Sequence, residues 1–412
     1  MDIEFVDIGK SRLPRRRPIA VESIRRGHTL RHCGGYRQGV TDAERVAGRG
    51  VLSGGSRPKL AGVAALAGVS PSTASLALSG SPRVASATRE RVRAAAATLG
   101  YSGPDPVARS LRSRRSGIVG VVVNERLLHA FRDPVALQVL DGVSEVLGPL
   151  GSALLLLAGE GEGGGPPEPR LARVPLDAAV FVAGAVDDEP ALDHLRRRGV
   201  PIAVAEGPDA DDLLLVAIDD RRGSRELAAH LRALGHTRVA VVALPLRLDG
   251  SRGPVSPARL AAPGFRQPRN RVAGVTDVFG PVLVVEVANG SAEEGERAAS
   301  WLLDRAVAER PTAVVAQSDL LAAGVLRVAE ARGLRVPDDL SVVGFDGVDL
   351  PGLVAGHLTT VVQPAAEKGR ALARGVVEML SGGHPPDVVL PVRLRAGGTS
   401  GPAPGGSRRL PG

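Results

Sequence analysis

From Ile118 onward, short runs of buried-strand character alternate with stretches of helical period. The strand-like runs are "IVGVVV" (118–123), "SALLLLAG" (152–159), "AAVFVAG" (178–184), "VPIAVAEG" (200–207), "RVAVVALP" (238–245), "TAVVAQSD" (312–319) and "LSVVGFDG" (340–347). Between them lie "PVALQVLDGVSEVLGPLG", "EPALDHLRRRG", "RGSRELAAHLRALG", "EEGERAASWLLDRA" and "LLAAGVLRVAEARG". Strand–helix–strand alternation with runs apolar on both faces demands mostly parallel sheets covered by helices on each side. About 280 residues of this pattern exceeds one ordinary doubly wound sheet, so two lobes are expected.

The aliphatic supply fits such a core. Hydrophobic residues make up 43% of the 412, but aromatics only 2%, so Val, Leu and Ala must do the packing. The one cysteine, Cys33, rules out an internal disulfide and a cysteine-based zinc site. No run approaches a membrane span in length, and "MDIEFVDIGK" lacks the basic start and apolar core of a signal peptide. A cytoplasmic protein with no membrane contact is the expectation.

Charge is unevenly placed. The formal net charge is +8. Residues 57–115 hold ten Lys/Arg against two Asp/Glu, and residues 1–56 eleven against six. The rest of the chain is therefore mildly acidic, and a polyanionic partner is expected for the N-terminal third alone. Residues 1–56 show arginine clusters without periodicity. They read as a disordered basic extension, or as lying upstream of the true start.

Residues 57–103 carry three short helical patterns. "KLAGVAALAG" puts Leu60, Val63, Ala64 and Ala67 on one stripe, with Gly68 as its stop. In "VSPSTASLALSG", Ser70 is an N-cap and Pro71 sits in the first turn. "ASATRERVRAAAATLGY" is a third helix with Val92, Ala95, Ala96 and Leu99 inward. A tight glycine turn between the first two describes a helix-turn-helix, or a three-helix packing unit without a DNA role. The front of the second helix is short and uncharged. It can hold phosphates and reach base edges through hydroxyls, but it offers no arginine–guanine or asparagine–adenine pair.

Residues 104–116, within "GPDPVARSLRSRRSG", begin like a helix, with Asp105 as cap and Pro106 following. Only about two turns fit, too few to stand alone in water. Four arginines surround Leu111. A marginal basic helix that presents one leucine suits folding coupled to binding of a polyanion.

Enzyme readings fail on the residues. No G-x-x-x-x-G-K-S/T loop is present, and no G-x-G-x-x-G follows the first strand. The eight histidines form no helical i, i+4 pair, and the adjacent Asp219 and Asp220 would point apart. No cofactor and no metal are expected. Residues 159–169 and 248–270 read as loops or poorly ordered insertions, and 397–412 as a disordered tail.

Taken together, "LAGVAALAGVSPSTASLALSG…RVASATRERVRAAAATLGY…PVARSLRSRRSGIVGVVV", "RGSRELAAHLRALGHTRVAVV" and "RPTAVVAQSDLLAAGVLRVAEARGLRVPDDLSVVGFDGVDL…LTTVVQPAAEKG" resemble the LacI-type (lactose-repressor) family of bacterial transcription regulators. The resemblance implies a helix-turn-helix headpiece (57–103), a hinge helix (104–116) and a two-lobed α/β effector domain (117–396) like periplasmic sugar-binding proteins. It further implies a homodimer on a near-palindromic operator in double-stranded DNA, most often a repressor, governed by a small-molecule effector such as a sugar or related polyol. A sugar-binding or sensory module with little sequence-specific DNA binding is the alternative. No leucine heptad follows the effector domain, which favours a dimer over a tail-zippered tetramer.

By position, the resemblance assigns DNA contacts to Ser70, Pro71, Ser72, Thr73, Ser75 and Leu76, to Tyr101, and to the hinge residues Val107, Ala108, Arg109, Leu111 and Arg112. It assigns effector contacts to Asn124, Phe131, Arg132, Asp133, Arg225 and Asp319, and places Asp346 near the interlobe crossover. Leu76 stands where a polar residue is usual, and one extra residue separates Tyr101 from Leu111.

Overall fold

The computed structural model describes residues 58–103, 115–123, 127–158, 170–186, 188–350 and 358–404. Residues 1–56, the hinge residues Val107 to Arg112 and Asn124 lie outside that set. The chain divides into two units, Met1–Tyr101 and Ser102–Gly412.

The first unit is three helices, α1 (Leu60–Ala67), α2 (Pro71–Leu78) and α3 (Ser86–Thr98). Gly68 ends α1 in the left-handed region at φ 65°, a conformation that costs glycine little. The chain then turns through 98° into α2, within the helix-turn-helix range. Ser70 caps α2 by accepting from the Thr73 amide at 3.1 Å, and Pro71 occupies the first position. Val63, Ala64, Ala67, Ala74, Ala77, Val84, Val92, Ala95 and Ala96 form the core. Arg89 donates to the Ser81 and Val84 carbonyls and so ties down the connection before α3. Leu99, expected inside, is partly exposed, because α3 ends one residue before it.

The second unit holds two lobes. In chain order its first lobe runs β1 (Ile118–Val123), α4 (Leu127–Ala130), α5 (Pro134–Leu147), β2 (Ala153–Ala158), β3 (Ala178–Phe181), α6 (Pro190–Arg197), β4 (Ile202–Ala205) and β5 (Leu214–Ile218). The second lobe follows as α7 (Asp220–Ala233), β6 (Val239–Ala243), β7 (Gly253–Pro254), α8 (Pro257–Ala261), α9 (Arg266–Phe279), β8 (Leu283–Glu286), α10 (Ala292–Leu303), β9 (Ala313–Ala316), α11 (Asp319–Ala331), β10 (Ser341–Asp346) and β11 (Thr359–Val362). The chain then returns to the first lobe with α12 (Ala365–Leu380) and β12 (Val388–Leu390), and crosses once more to β13 (Arg393–Arg395).

Strand order is β2-β1-β3-β4-β5-β12 in the first sheet and β7-β8-β6-β9-β10-β11-β13 in the second. The described pairings are parallel except those of the edge strands β7 and β13. This is the parallel architecture that the alternation demands. Each sheet buries aliphatic side chains on both faces. On the first sheet α5 packs against α12 so closely that a Cβ on Gly142 would stand 2.0 Å from the Ala366 carbonyl.

Two expectations fail. Residues 248–270 are largely ordered, because Ser256 and Pro257 start α8 and Arg259 joins Asp249 to Glu286. Within the supposed tail, residues 397–404 are packed. His236, fully buried after α7, bonds to Thr312, Ser341 and the Gly401 carbonyl. Thr399 accepts from the Thr359 amide, and its carbonyl accepts from the Val342 amide. A segment rich in Gly and Pro is held by polar partners contributed from far away in sequence, which composition does not reveal.

Candidate functional site

On the headpiece, the front of α2 is a cluster of hydroxyls. Ser70 Oγ lies 2.8 Å from Ser72 Oγ and 2.8 Å from Thr73 Oγ1. Ser70, Pro71, Ser72, Ser75 and Leu76 are exposed, Thr73 is half-buried, and Ala74 and Ala77 turn inward. The 3.6-residue period therefore leaves the polar stripe outside and the alanines in the core. Tyr101 packs against that core.

The second site is a cavity of about 430 Å³ between the lobes, within the usual size range of small-molecule pockets. It opens at the carboxyl ends of the parallel strands, where open α/β sheets bind ligands. Glu206 follows β4, Asp346 ends β10 and Gln363 follows β11, and all three line the cavity. Asp133 and Lys368 line it from the first lobe, Phe265 and Arg271 from the second.

These side chains form a buried network across the lobes. Lys368 Nζ donates to Glu206 Oε1 at 2.6 Å and to Gln363 Oε1 at 2.9 Å. Gln363 Nε2 donates to Asp346 Oδ1 at 2.7 Å. Arg271, 1% exposed, donates to Asp220 Oδ1 at 2.7 Å and to the Gln317 carbonyl, and lies 3.7 Å from Asp346. Its guanidinium stacks 3.6 Å from the centre of the Phe345 ring. Burial raises Asp220 to about 7 and pushes Asp346 well above the ordinary carboxylate range, against the opposing pull of Arg271. Burial also raises Asp133, whose Oδ1 accepts from the Val135 amide at 2.8 Å as the cap of α5.

Several expected effector contacts are displaced. Arg225 is exposed and outside the cavity lining, because the α7 period turns Gly223, Ser224, Leu227 and Ala228 inward instead. Asp319 is fully buried and also outside the lining. Its oxygens are taken by Thr360 Oγ1 at 2.6 Å and the Val348 amide at 2.9 Å, so it ties α11 to the strand ends. Phe131 and Arg132 are exposed in the turn before α5, outside the lining. Asp133 does face the cavity. Asp346, placed near the crossover, stands within the network that spans it. Asp219 and Asp220 do point apart: Asp219 caps α7 while Asp220 holds Arg271.

The residues missed were Arg271, Glu206, Gln363 and Lys368. A signal for two of them was present: a polar residue directly after a buried strand run, as in "AVAEG" and "TVVQP". Arg271 had no such mark, since α9 begins inside a stretch read as loop. Among the described residues no His/Cys/Asp/Glu group suited to a metal was found, and no single helix is long and apolar enough to cross a membrane.

Comparison with known proteins matches this two-part layout. Residues 59–103 match the family described as bacterial regulatory proteins, lacI family, and residues 228–400 match a periplasmic binding protein-like domain. The HTH-type transcriptional regulator Rv3575c of Mycobacterium tuberculosis is 35% identical over 84% of this chain and 98% of its own length. The HTH-type transcriptional regulator CelR of Thermobifida fusca is 33% identical over 82% and 95%. Among solved structures, a CelR–cellobiose complex is 29% identical with a TM-score of 0.57, covering 83% of this chain and all of that one. The lac repressor dimer bound to operator and an anti-inducer, 24% identical, shares the fold with a TM-score of 0.66, covering 84% of this chain and 99% of that one. The chain belongs to the LacI family of bacterial regulatory proteins, and it is a DNA-binding, helix-turn-helix transcriptional regulator.

Proposed function

We propose that this regulator is a repressor that binds a near-palindromic operator as a homodimer and answers to a sugar or related polyol in the interlobe cleft. The observation that carries the reading is the cavity itself. It is of ligand size, lies at strand ends, and is lined from both lobes by carboxylates, by the guanidiniums of Arg252, Arg271 and Arg297, by Lys368 and by Phe265. A ligand touching both lobes binds one lobe arrangement better than another, and that difference biases whatever the lobes are joined to. The relative CelR, solved with cellobiose, has a sugar complex.

On DNA, the Ser70–Ser75 face of each α2 enters a major groove, and the hinge from Val107 to Arg112 orders against the minor groove, with Leu111 as wedge. Self-association is supported by the outer edge of the first sheet. There β2 is the uncharged run "ALLLLA", with Leu156 partly exposed and no strand beyond it among the described residues. Unpaired apolar edges of this kind are usually covered by a partner.

Sequencing of DNA selected by the full chain tests the reading. A two-fold symmetric site should be enriched, and enrichment no better than random would overturn the operator reading in favour of a sensory module without DNA specificity. Leu111→Ala should weaken binding to that site far more than binding to random DNA. Equal losses would reject the wedge.

A further inference from the structure

The buried network closes on itself. Glu206 Oε1 accepts from the Ile218 amide at 3.1 Å as well as from Lys368. Lys368 reaches Gln363, Gln363 reaches Asp346, and Arg271 stands between Asp346 and Asp220. Asp220 follows Ile218 closely along the chain, so the circuit is complete. Glu206 and Lys368 belong to the first lobe, Asp346 and Arg271 to the second. Ile218–Asp220 and Gln363 sit on two of the crossings between the lobes, β5 to α7 and β11 to α12. Gln363 is fixed twice, because its own amide also donates to the Asp346 carbonyl at 3.1 Å. All of these residues are buried.

Two members carry backbone strain. Glu206 has φ 53° and Asp346 φ 118°, conformations that residues with a Cβ keep only where the surroundings hold them. The circuit has one loose joint. Arg271 Nη1 is 3.7 Å from Asp346 Oδ1, whereas its Nε is 2.7 Å from Asp220 Oδ1. Its Nη2 is buried with no acceptor among the described residues. Burial penalises both carboxylates, so they compete for one guanidinium. A direct bond to Asp346 needs a movement of only about 1 Å, the scale on which packed elements shift in switching proteins.

We propose that this circuit is a hinge lock, which holds the lobes at one angle while Arg271 sits on Asp220 and at a second angle when Arg271 passes to Asp346, and that the two angles differ in DNA affinity. Asp220 opens α7 directly after the first crossing, and Asp346 is bonded to the second. Moving the guanidinium from one to the other therefore pulls on a different crossing. The lock stands whether or not the cleft is the effector site.

The test is the distance between spin labels on the two lobes, read by double electron–electron resonance on the full chain. Labels go on Arg197→Cys in the first lobe and Val307→Cys in the second, both exposed, with Cys33→Ser to remove the native thiol. Labelled chain is mixed with excess unlabelled chain, so that only distances within one chain are read. At pH 8, above the value of about 7 to which burial lifts Asp220, the parent should give one narrow distance distribution. A broad or two-peaked parent overturns the fixed angle. Gln363→Met cuts the circuit at the second crossing and should widen the distribution at least about two-fold. A parent-like width overturns the lock. Asp220→Asn, nearly isosteric, decides if Gln363→Met does not fold. It should shift the mean distance, whereas Asp346→Asn, whose amide oxygen still accepts from Gln363, should keep the parent's. A shift in both variants, or in neither, overturns the joint at Arg271. Asp220→Asn should also change the dissociation constant for the selected DNA site at least about 5-fold. Moved lobes with parent-like DNA binding would overturn the link to DNA affinity. The distance measurements need neither operator nor effector, so they stand or fall apart from the reading proposed above.

Discussion

At the scale of single residues, the interlobe network is where one atom changes most. Lys368→Met would strand Glu206 and Gln363 without their cation at a buried position. Breaking a buried pair from one side costs about 3–5 kcal/mol, so the urea midpoint of the second unit should drop markedly. Changing Glu206 to Gln in the same chain should restore part of the loss. Asp220 sets a pH dependence. Its ordinary value is 3.8 and burial lifts it to about 7, so the folded protein holds this proton more tightly than the unfolded chain. Its stabilising contribution is complete below about pH 4 and is lost as pH rises through 7. The second unit should therefore melt lower at pH 8 than at pH 6, and Asp220→Asn should flatten that slope. A melting temperature that climbs over the same interval in the parent protein would contradict the assignment. Little of this network was legible beforehand. Asp133 and Asp346 line the cavity, whereas Arg225 and Asp319 lie outside it and Arg271 and Lys368 line it. Sequence position fixes which residue follows a strand, but not which side chain turns toward a cavity made by two separate lobes.

Secondary-structure elements were far more legible. Helix starts were marked by hydroxyl and proline pairs, as at Ser70–Pro71, and the buried runs became parallel strands. Ser70→Ala should destabilise the headpiece by about 0.5–2 kcal/mol by removing the cap on Thr73, as read by the melting of the first unit. What periodicity could not anticipate is how closely elements approach. Gly142 on α5 faces the Ala366 carbonyl of α12 at a distance that no side chain tolerates. Gly142→Ala should therefore force the helices apart and cost about 1–3 kcal/mol or more, although alanine is the better helix former. A stability equal to or above the parent's would refute the close crossing. The missed ordering of residues 248–270 has the same origin: α8 is short, and what holds it is Arg259 reaching Glu286 on a neighbouring strand.

For the whole molecule, the C-terminal segment shows how distant parts complete one another. Removing residues 397–412 would leave His236, Ser341 and Thr359 buried with vacant bonds. Such a truncation should lower the denaturant midpoint of the second unit, whereas loss of a free tail would leave it unchanged. By itself the sequence determined the architecture: a basic three-helix headpiece, then parallel sheets in two lobes. Those outcomes depend on local periods, caps and charge, which the order of residues carries directly. Only the tertiary structure decided the composition of the cleft floor and the anchoring of the C-terminal segment. Both depend on side chains from far-apart stretches meeting within about 3 Å of one another, a distance that hydrogen bonding requires and linear order does not encode.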